Sequence, residues 1–428
     1  MSGFRHIKEV MKDEYVGKSV KLRGWVYRQR SSAKVAFIVL RDVTGIIQCT
    51  VKAGHPDFKK AVDTSIESSV ELEGKIVKDE RAPGGYELAV DKYKIVHLAE
   101  RFPIVKDQSV EFLMDVRHLA LRSRRLTSIL KIRSTVLYAL HNYLRSEGYY
   151  EVEAPIISGA SSEGGAEVFE LNYFGKKAYL TQSWQFYAEN MIHAFEKVYC
   201  MAPSFRAEKS HTYRHLTEYW HCEVEAAWAD MEEMIRIAEG CVVSAAKSIP
   251  KQNADDLEVL GIDKGRFEKV KAPFPRITYK EAVDILNEKG VPIKYGYDFG
   301  AEHERKLTEA YDRPLIVTNY PSEIMAFYKA EDPEQPGTSK NFNVLAPKVG
   351  EIIDGSEREP DINKILAKLK KEGKNLEAVD WYLDGRRYGS VPHSGFGLGV
   401  ERLIQWLLNL DHIRDTIAFP RFINRFTP

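Results

Sequence analysis

Cysteine is scarce in this chain: Cys49, Cys200, Cys222 and Cys241 are the only four among 428 residues, and none forms a Cys-x-x-Cys pair. That scarcity argues against a structural zinc site and against a disulfide framework, and it points to a reducing compartment. Long apolar runs are absent too, which excludes a membrane-spanning helix. The stretch from Met1 to Val16 is charged from the start and lacks the apolar core of a secretion signal. A cytoplasmic protein without a membrane partner is expected. No internal repeat is present. Net charge is also missing, but only in the sum. Residues 1–145 hold 27 Lys+Arg against 17 Asp+Glu, whereas residues 146–428 hold 35 against 45. The basic third is the place to look for a polyanion. The length exceeds that of a usual single domain, so two or three are expected. A composition of 44% hydrophobic and 29% charged residues is ordinary for a globular protein.

Residues 18–98 alternate as short strands. The predicted strands are Val20–Arg28, Val35–Arg41, Ile46–Val51, Val70–Val77 and Tyr86–Val96, with turn signals at Asp42–Gly45 and Ala82–Gly85. With a helical insert near Phe58–Ser65, they predict a five-stranded OB-fold β-barrel, a fold that binds single-stranded nucleic acid on one face. Phe37 either fills this barrel or stacks on a base. The predicted division is a barrel domain at 1–100, a basic connector at 101–125 and a second domain at 126–428. Apolar residues from Leu126 to Leu144 keep a 3.6-residue period, Gly148 is placed to stop that helix, and a strand is expected to reach Pro155. Beyond residue 156 strands and helices mix without regular alternation. That predicts an α+β domain, an antiparallel sheet flanked by helices. The lysines of Lys364–Lys374 read as a solvated helix face. Two short matches carry no function: Asp298-Phe299-Gly300 lacks the preceding loop of a kinase, and Gly395–Gly399 comes too late for a dinucleotide fingerprint.

The densest chemistry lies at Phe205-Arg206-Ala207-Glu208 with Arg214, His215 and Tyr219, and again at Gly395–Arg402. On a strand Arg206 and Glu208 share a face. Arginine forks match phosphate oxygens, a carboxylate accepts from the adenine amino group, and a ring stacks on the base. The set suits a site that holds ATP for attack at phosphorus. A glycine-rich strand before Arg402 lets a ligand approach the backbone closely. Taken alone, Arg206 and Glu208 are equally a buried ion pair on a sheet.

The two segments resemble motifs 2 and 3 of the class II aminoacyl-tRNA synthetases, in wording closest to the aspartyl/asparaginyl branch. The helix, strand and Pro155 resemble motif 1, which builds a dimer interface. The resemblance spans about residues 18–428. It implies an OB-fold anticodon domain, a class II catalytic core, an ATP-dependent aminoacyl-tRNA ligase that uses Mg2+, and a homodimer through the motif 1 helix and strand. Carried onto this sequence, Arg206 would hold the α-phosphate and the substrate carboxylate, and Arg402 the γ-phosphate. Glu208 and Tyr219 would hold adenine, with Arg214 and His215 on the outer phosphates. Phe37 matches the stacking aromatic of the anticodon domain, which turns its reading toward stacking, and Gln48 and Glu87 match base-reading positions. Glu351 matches a metal carboxylate. Asn343 replaces the usual upstream aspartate, and Asp354, where relatives carry glycine or serine, is expected to compensate.

Gln182–Asn190 separates the two amino acids. Ala188 stands where aspartyl enzymes place a lysine, and Glu189 follows the asparaginyl pattern, a carboxylate able to accept from a side-chain amide. Gln185 is the candidate for the α-ammonium and Arg358 for the substrate's carbonyl oxygen. Glu225 is expected near the pocket, and Glu163 in a glycine-rich loop over the amino acid. An unpaired buried charge is costly, so such a pocket rejects aspartate by roughly 10⁴–10⁵. L-Asparagine and tRNA-Asn are the expected substrates. Met325, where relatives show lysine, departs from the pattern. The competing readings are an aspartyl enzyme charging one or both tRNAs, an asparagine synthetase on the same core without an anticodon barrel, and an RNA-binding protein with an inactive core. Asn343 keeps the last of these open.

Overall fold

Alternation of apolar and polar residues builds the N-terminal unit. Strands β1 (Ser19–Ser31), β2 (Val35–Arg41), β3 (Ile46–Lys52), β4 (Ser69–Lys78) and β5 (Tyr86–His97) close into a barrel in the order β1-β2-β3-β5-β4. Leu22, Ile38, Leu40, Ile47, Cys49, Val51, Leu72 and Leu88 point inward and form the core. With a period of two, the residues between them face outward. Phe37 is one of these: half-buried on the outer face, with the Arg30 guanidinium 4.7 Å over its ring. It does not fill the barrel. A bulge between Val26 and Arg28 adds the local bend that closure needs. The helical insert is α1 (Phe58–Asp63).

The computed structural model describes residues 3–159, 168–208, 213–371, 373 and 376–428. Contacts divide the chain into Met1–Leu113 and Met114–Pro428. The second unit starts its long helix, α2 (Arg124–Ser146), at Ser123, whose Oγ accepts from the Leu126 N–H at 3.3 Å. The helix ends at Glu147, followed by Gly148 at φ +84°, a conformation that glycine adopts without strain. The next strand, β6, is only Tyr150–Glu151 and does not reach Pro155. Proline has no N–H for a ladder and biases the residue before it, which stops regular pairing early.

A small sheet, β7 (Ile157–Ser158), β8 (Glu170–Tyr173) and β9 (Lys176–Leu180), precedes helix α3 (Gln185–Phe195). The main sheet then assembles from β10 (Lys197–Phe205), β11 (Glu218–Ala227), β12 (Arg276–Thr278), β13 (Leu315–Thr318), β14 (Asn341–Ala346), β15 (Gly350–Glu357) and β16 (His393–Gly399). Its order among the described residues is β12-β13-β14-β15-β16-β11-β10-β6. It is antiparallel through the centre and parallel only at its two ends, β12–β13 and β10–β6. Helices α4 (Met231–Gln252), α5 (Ala301–Thr308), α6 (Leu376–Arg387) and α7 (Val400–Leu407) belong to the same unit.

A helix does follow the glycine-rich strand, but β16 runs antiparallel to both neighbours, so no βαβ unit exists there. Gly395 is needed for space: a Cβ would overlap the Glu225 carboxylate and the Val224 carbonyl. Of the Lys364–Lys374 stretch, Ile365 and Leu369 anchor the helix Ile362–Lys371 and the lysines at its end are exposed or half-buried, apart from Glu372 and Lys374, which lie outside the described residues. Among the described residues no helix is long and apolar enough to cross a membrane.

Candidate active site

Strands β11, β15 and β16, the segment just past β10 and the start of α7 line a cavity of about 510 Å³. β10 ends at Phe205, so Arg206 and Glu208 lie just past the strand rather than on it. The ladder reaches one step further, with the Arg206 N–H donating to the Thr217 carbonyl at 3.0 Å. Both side chains still line the cavity, with guanidinium and carboxylate 3.8 Å apart. The Arg206 guanidinium sits 5.7 Å over the Tyr219 ring. Arg402, in the first turn of α7, donates to the Glu351 carbonyl at 3.0 Å and to its Oε1 at 3.2 Å. The turn itself is tied down through Glu401, which meets Arg133 of α2 at 2.6 Å and accepts from the Trp220 N–H at 2.9 Å.

Arg214 lines the same cavity, but one of its nitrogens is paired with Glu304 of α5 and with the Val349 carbonyl. Gly350, at φ +87°, makes room for that pair, since a Cβ there would strike both side chains. Burial, helped by Arg402, Arg214 and Arg206, pushes His215 down to about 4. Burial, with Arg206 and Arg402, pushes His221 down to about 3. Both rings are therefore neutral near pH 7 and add no charge to the three arginines.

A stability consequence follows. A histidine whose folded pKa is depressed supports the fold above its unfolded value near 6.5, and that support is lost as pH falls toward the folded pKa. Between pH 7 and pH 5, His221 is expected to remove about 2 kcal/mol of stability. Urea unfolding of the wild type and of His221→Gln at both pH values checks this; equal pH slopes would refute it.

On the acidic wall, Glu351 accepts from the Asn343 amide at 2.6 Å. Burial pushes its carboxyl up to about 7, with Asp354 and Glu304 adding to the rise against the pull of Arg402 and Arg206. Asp354, expected as a second metal carboxylate, has both oxygens accepting from the Lys329 ammonium, at 2.7 and 2.9 Å. It lies directly across the ladder from Asn343. Among the described residues no three His, Cys, Asp or Glu side chains form a metal cage. A magnesium ion that bridges phosphates needs only one or two protein carboxylates, and Glu351 fits that demand.

At the other end, Arg358 lines the cavity and pairs with Glu225 through Nε (3.0 and 3.3 Å) and Nη2 (2.7 Å), while its Nη1 donates to Ser356 Oγ at 3.0 Å. Glu225 is buried behind it and orients the guanidinium. Glu189, expected to meet the substrate directly, is 0% exposed and lies behind the cavity wall. It accepts from Arg386, from the Tyr382 hydroxyl at 2.9 Å and from Gln185 Nε2 at 2.8 Å, and His393 Nε2 faces it at 3.1 Å. Burial raises its carboxyl pKa, but Arg386, His393 and Arg358 outweigh that and hold it well below the usual range. Gln185 itself reaches the cavity. Glu163 lies outside the described residues.

Among the polar lining residues that the sequence did not assign to the site are Ser183, His221, Glu223, Asp298 and Lys329. Glu223 was findable: it is two residues from Glu225 on β11, hence on the same face. It accepts from Ser183 Oγ and from the Trp184 N–H at 2.8 Å. Burial raises the pKa of Asp298, and neighbouring Phe299 stacks on Tyr279 in the core.

In the barrel unit, Gln48 and Glu87 are register partners on β3 and β5, with Gln48 Nε2 donating to Glu87 at 3.0 Å. Thr50, opposite Phe37, donates to Glu87 at 3.3 Å. Phe37, Thr50, Gln48 and Glu87 therefore share one outer face.

The family described as tRNA synthetases class II (D, K and N) matches residues 109–423, and the OB-fold nucleic acid binding domain matches residues 20–96. An asparagine–tRNA ligase of Thermoplasma acidophilum is 47% identical over 426 residues, 99% of each chain. The crystal structure of asparaginyl-tRNA synthetase from Pyrococcus horikoshii complexed with asparaginyl-adenylate superposes with a TM-score of 0.96 at 45% identity, covering 100% of both chains. A putative aspartyl-tRNA synthetase from Leishmania major is more distant, with a TM-score of 0.88 at 25% identity, covering 100% of this chain and 95% of that one. The chain belongs to the class II tRNA synthetases of the D, K and N group and, within it, to the asparagine–tRNA ligases.

Proposed function

We propose that this chain activates L-asparagine with ATP and Mg2+ and transfers it to tRNA-Asn, acting in the cytoplasm as a homodimer. The observation that carries this reading is one cavity with two chemically distinct ends. Arg206, Arg214 and Arg402 converge with Glu351 at the first, and Arg358, Glu223 and Gln185 at the second. A nucleotide polyphosphate suits the first end and a side-chain amide the second.

In the first step a carboxylate oxygen of asparagine bonds to the α-phosphorus, and the bond to pyrophosphate breaks. The nucleophile is already anionic, so no general base is required. The protein's task is alignment and charge neutralisation. Arg206 holds the α-phosphate and the attacking carboxylate. Tyr219 and Glu208 hold adenine. Arg402, Arg214 and the neutral His215 hold the outer phosphates. Glu351 would hold the magnesium ion, which when bound neutralises phosphate charge. In the second step the 3′-terminal ribose hydroxyl attacks the carbonyl carbon and AMP leaves.

Selectivity follows from the amide end. Arg358 donates to the amide oxygen, and a carboxylate beside it, Glu223, accepts from the amide nitrogen. Aspartate would set its second oxygen against that carboxylate, and Ala188 offers no cation to offset the clash. ATP–pyrophosphate exchange without tRNA is expected to favour asparagine over aspartate by roughly 10⁴-fold. Exchange with aspartate alone would make this an aspartyl enzyme, and none with either would mark an inactive core.

The outer face of the barrel reads the anticodon, with Phe37 stacking on a base. Phe37→Ala is expected to weaken tRNA binding by about 1–3 kcal/mol while leaving tRNA-independent exchange unchanged. Filter binding with unaltered affinity would remove Phe37 from that role. Exposed Tyr138 on α2 and Tyr150 on β6 support the motif 1 face as the dimer contact.

A further inference from the structure

We propose that Lys329 is a further catalytic residue: its ammonium grips an anionic oxygen where the carboxylate meets the α-phosphate, with Asp354 as its positioning partner. The inference rests on the adenylation reading above.

Lys329 is 5% exposed, yet it lines the cavity. A buried ammonium is costly to keep unless its donors are used. It has three. Two contacts go to the Asp354 carboxylate, and a third runs to the Met325 thioether at 3.7 Å, a weak acceptor. The ammonium is thus held by two strong contacts and one weak one, and Lys329 and Met325, the weak partner, both line the cavity.

Position decides what it would grip. Glu351, Asp354 and Arg358 line the cavity in that order along β15 and its end. A bulge at Ile352 interrupts the strand between Glu351 and Asp354, and at about 3.3 Å per residue Asp354 stands about 13 Å from Arg358. Lys329 therefore lies between the phosphate end and the amide end, at the level where the two anionic reactants must be brought together. Its backbone is fixed there. Lys329 bridges Arg358, the Ala330 N–H donates to the Glu357 carbonyl at 3.1 Å, and the Glu359 N–H donates to the Tyr328 carbonyl at 2.8 Å. On one side of Asp354 the register partner Asn343 is neutral, and on the other Gly397 has no side chain and leads on to Glu223, so Lys329 is a cation set in an acidic row. A fixed ammonium at this point lowers the repulsion between carboxylate and phosphate and serves the bond-forming step without gaining or losing a proton.

The alternative is that the ion pair only fills the cavity floor. Lys329→Met alone strands the charge of Asp354, so the deciding variant is Lys329→Met/Asp354→Asn, which removes both charges at nearly constant shape. If Lys329 acts on the reactants, the double variant melts close to wild type while kcat for asparagine-dependent exchange falls by about 10²–10³. Its binding of a non-reactive sulfamoyl analogue of asparaginyl-adenylate, read by calorimetry, weakens roughly tenfold or more. A rise in KM for ATP assigns the gripped oxygen to the α-phosphate, and a rise in KM for asparagine assigns it to the carboxylate. A double variant with wild-type kcat and wild-type analogue binding overturns the inference. If the unmutated protein shows no exchange with asparagine, the proposed function fails first and the inference falls with it.

Discussion

Replacing Arg206 by alanine is expected to lower asparagine-dependent ATP–pyrophosphate exchange by about 10³-fold or more, with little change in stability. The reason for the split lies in its surroundings. The Arg206 side chain is 30% exposed and Glu208 31%, and their 3.8 Å ion pair is partly screened by solvent, so its loss costs about 1 kcal/mol or less. Its planar fork, in contrast, addresses two reactant anions at once, a task that water performs poorly in a walled cavity. Arg206→Lys keeps the charge and loses the fork, so an intermediate rate is expected. Arg402→Ala is the matched control. Arg402 contacts Glu351, at the outer-phosphate end, so its loss is expected to weaken ATP binding more than it lowers kcat. Exchange retained in Arg206→Ala would move the α-phosphate contact to another residue, and unchanged ATP binding in Arg402→Ala would end its phosphate role.

The parts of this protein that could be read in advance are those whose physics is local in sequence. The barrel strands appear within a few residues of their predicted limits because alternation and turn residues act over short spans. The arginine-rich end of the cavity was legible because Arg206, Glu208, Arg214, His215 and Tyr219 fall within one short stretch of sequence. The amide end was legible only by position. Glu189 stands at an informative place, but its partners Arg386, Tyr382 and His393 are 197, 193 and 204 residues away, and nothing near Glu189 announces them. Lys329 gave no signal at all. A lysine at the border between an apolar stretch and the polar Glu331–Gln335 reads as solvated, and its burial depends on Asp354, a cross-strand neighbour of Asn343 rather than a sequence neighbour. The short β6 and the position of Arg206 past its strand are misses of another kind, a residue or two at the ends of elements where ladders give out.

Glu189→Gln separates the role read from position from the role given by contacts. The side chain is fully buried, and Oε2 alone faces Arg386, Tyr382 and His393. Neutralising it leaves the buried Arg386 guanidinium uncompensated, which is expected to cost about 3 kcal/mol and to lower the melting temperature by roughly 5–10 °C. Its effect on catalysis is indirect. An anionic Glu189 requires the NH₂ of Gln185 to point at it, which turns the Gln185 oxygen toward the cavity, where it can accept from the α-ammonium of the substrate. With glutamine at 189 both amide orientations are satisfied, so part of the population presents a donor to that ammonium. KM for asparagine is therefore expected to rise several-fold, while the preference for asparagine over aspartate is kept, because Arg358 loses only a 4.0 Å contact with Glu189 and stays paired with Glu225, and Glu223 is unchanged. Had Glu189 met the substrate amide itself, the same substitution would erase the preference and leave the melting temperature nearly unchanged. Thermal unfolding together with exchange rates for both amino acids distinguishes the two outcomes, and a collapse of selectivity without loss of stability would return Glu189 to the substrate.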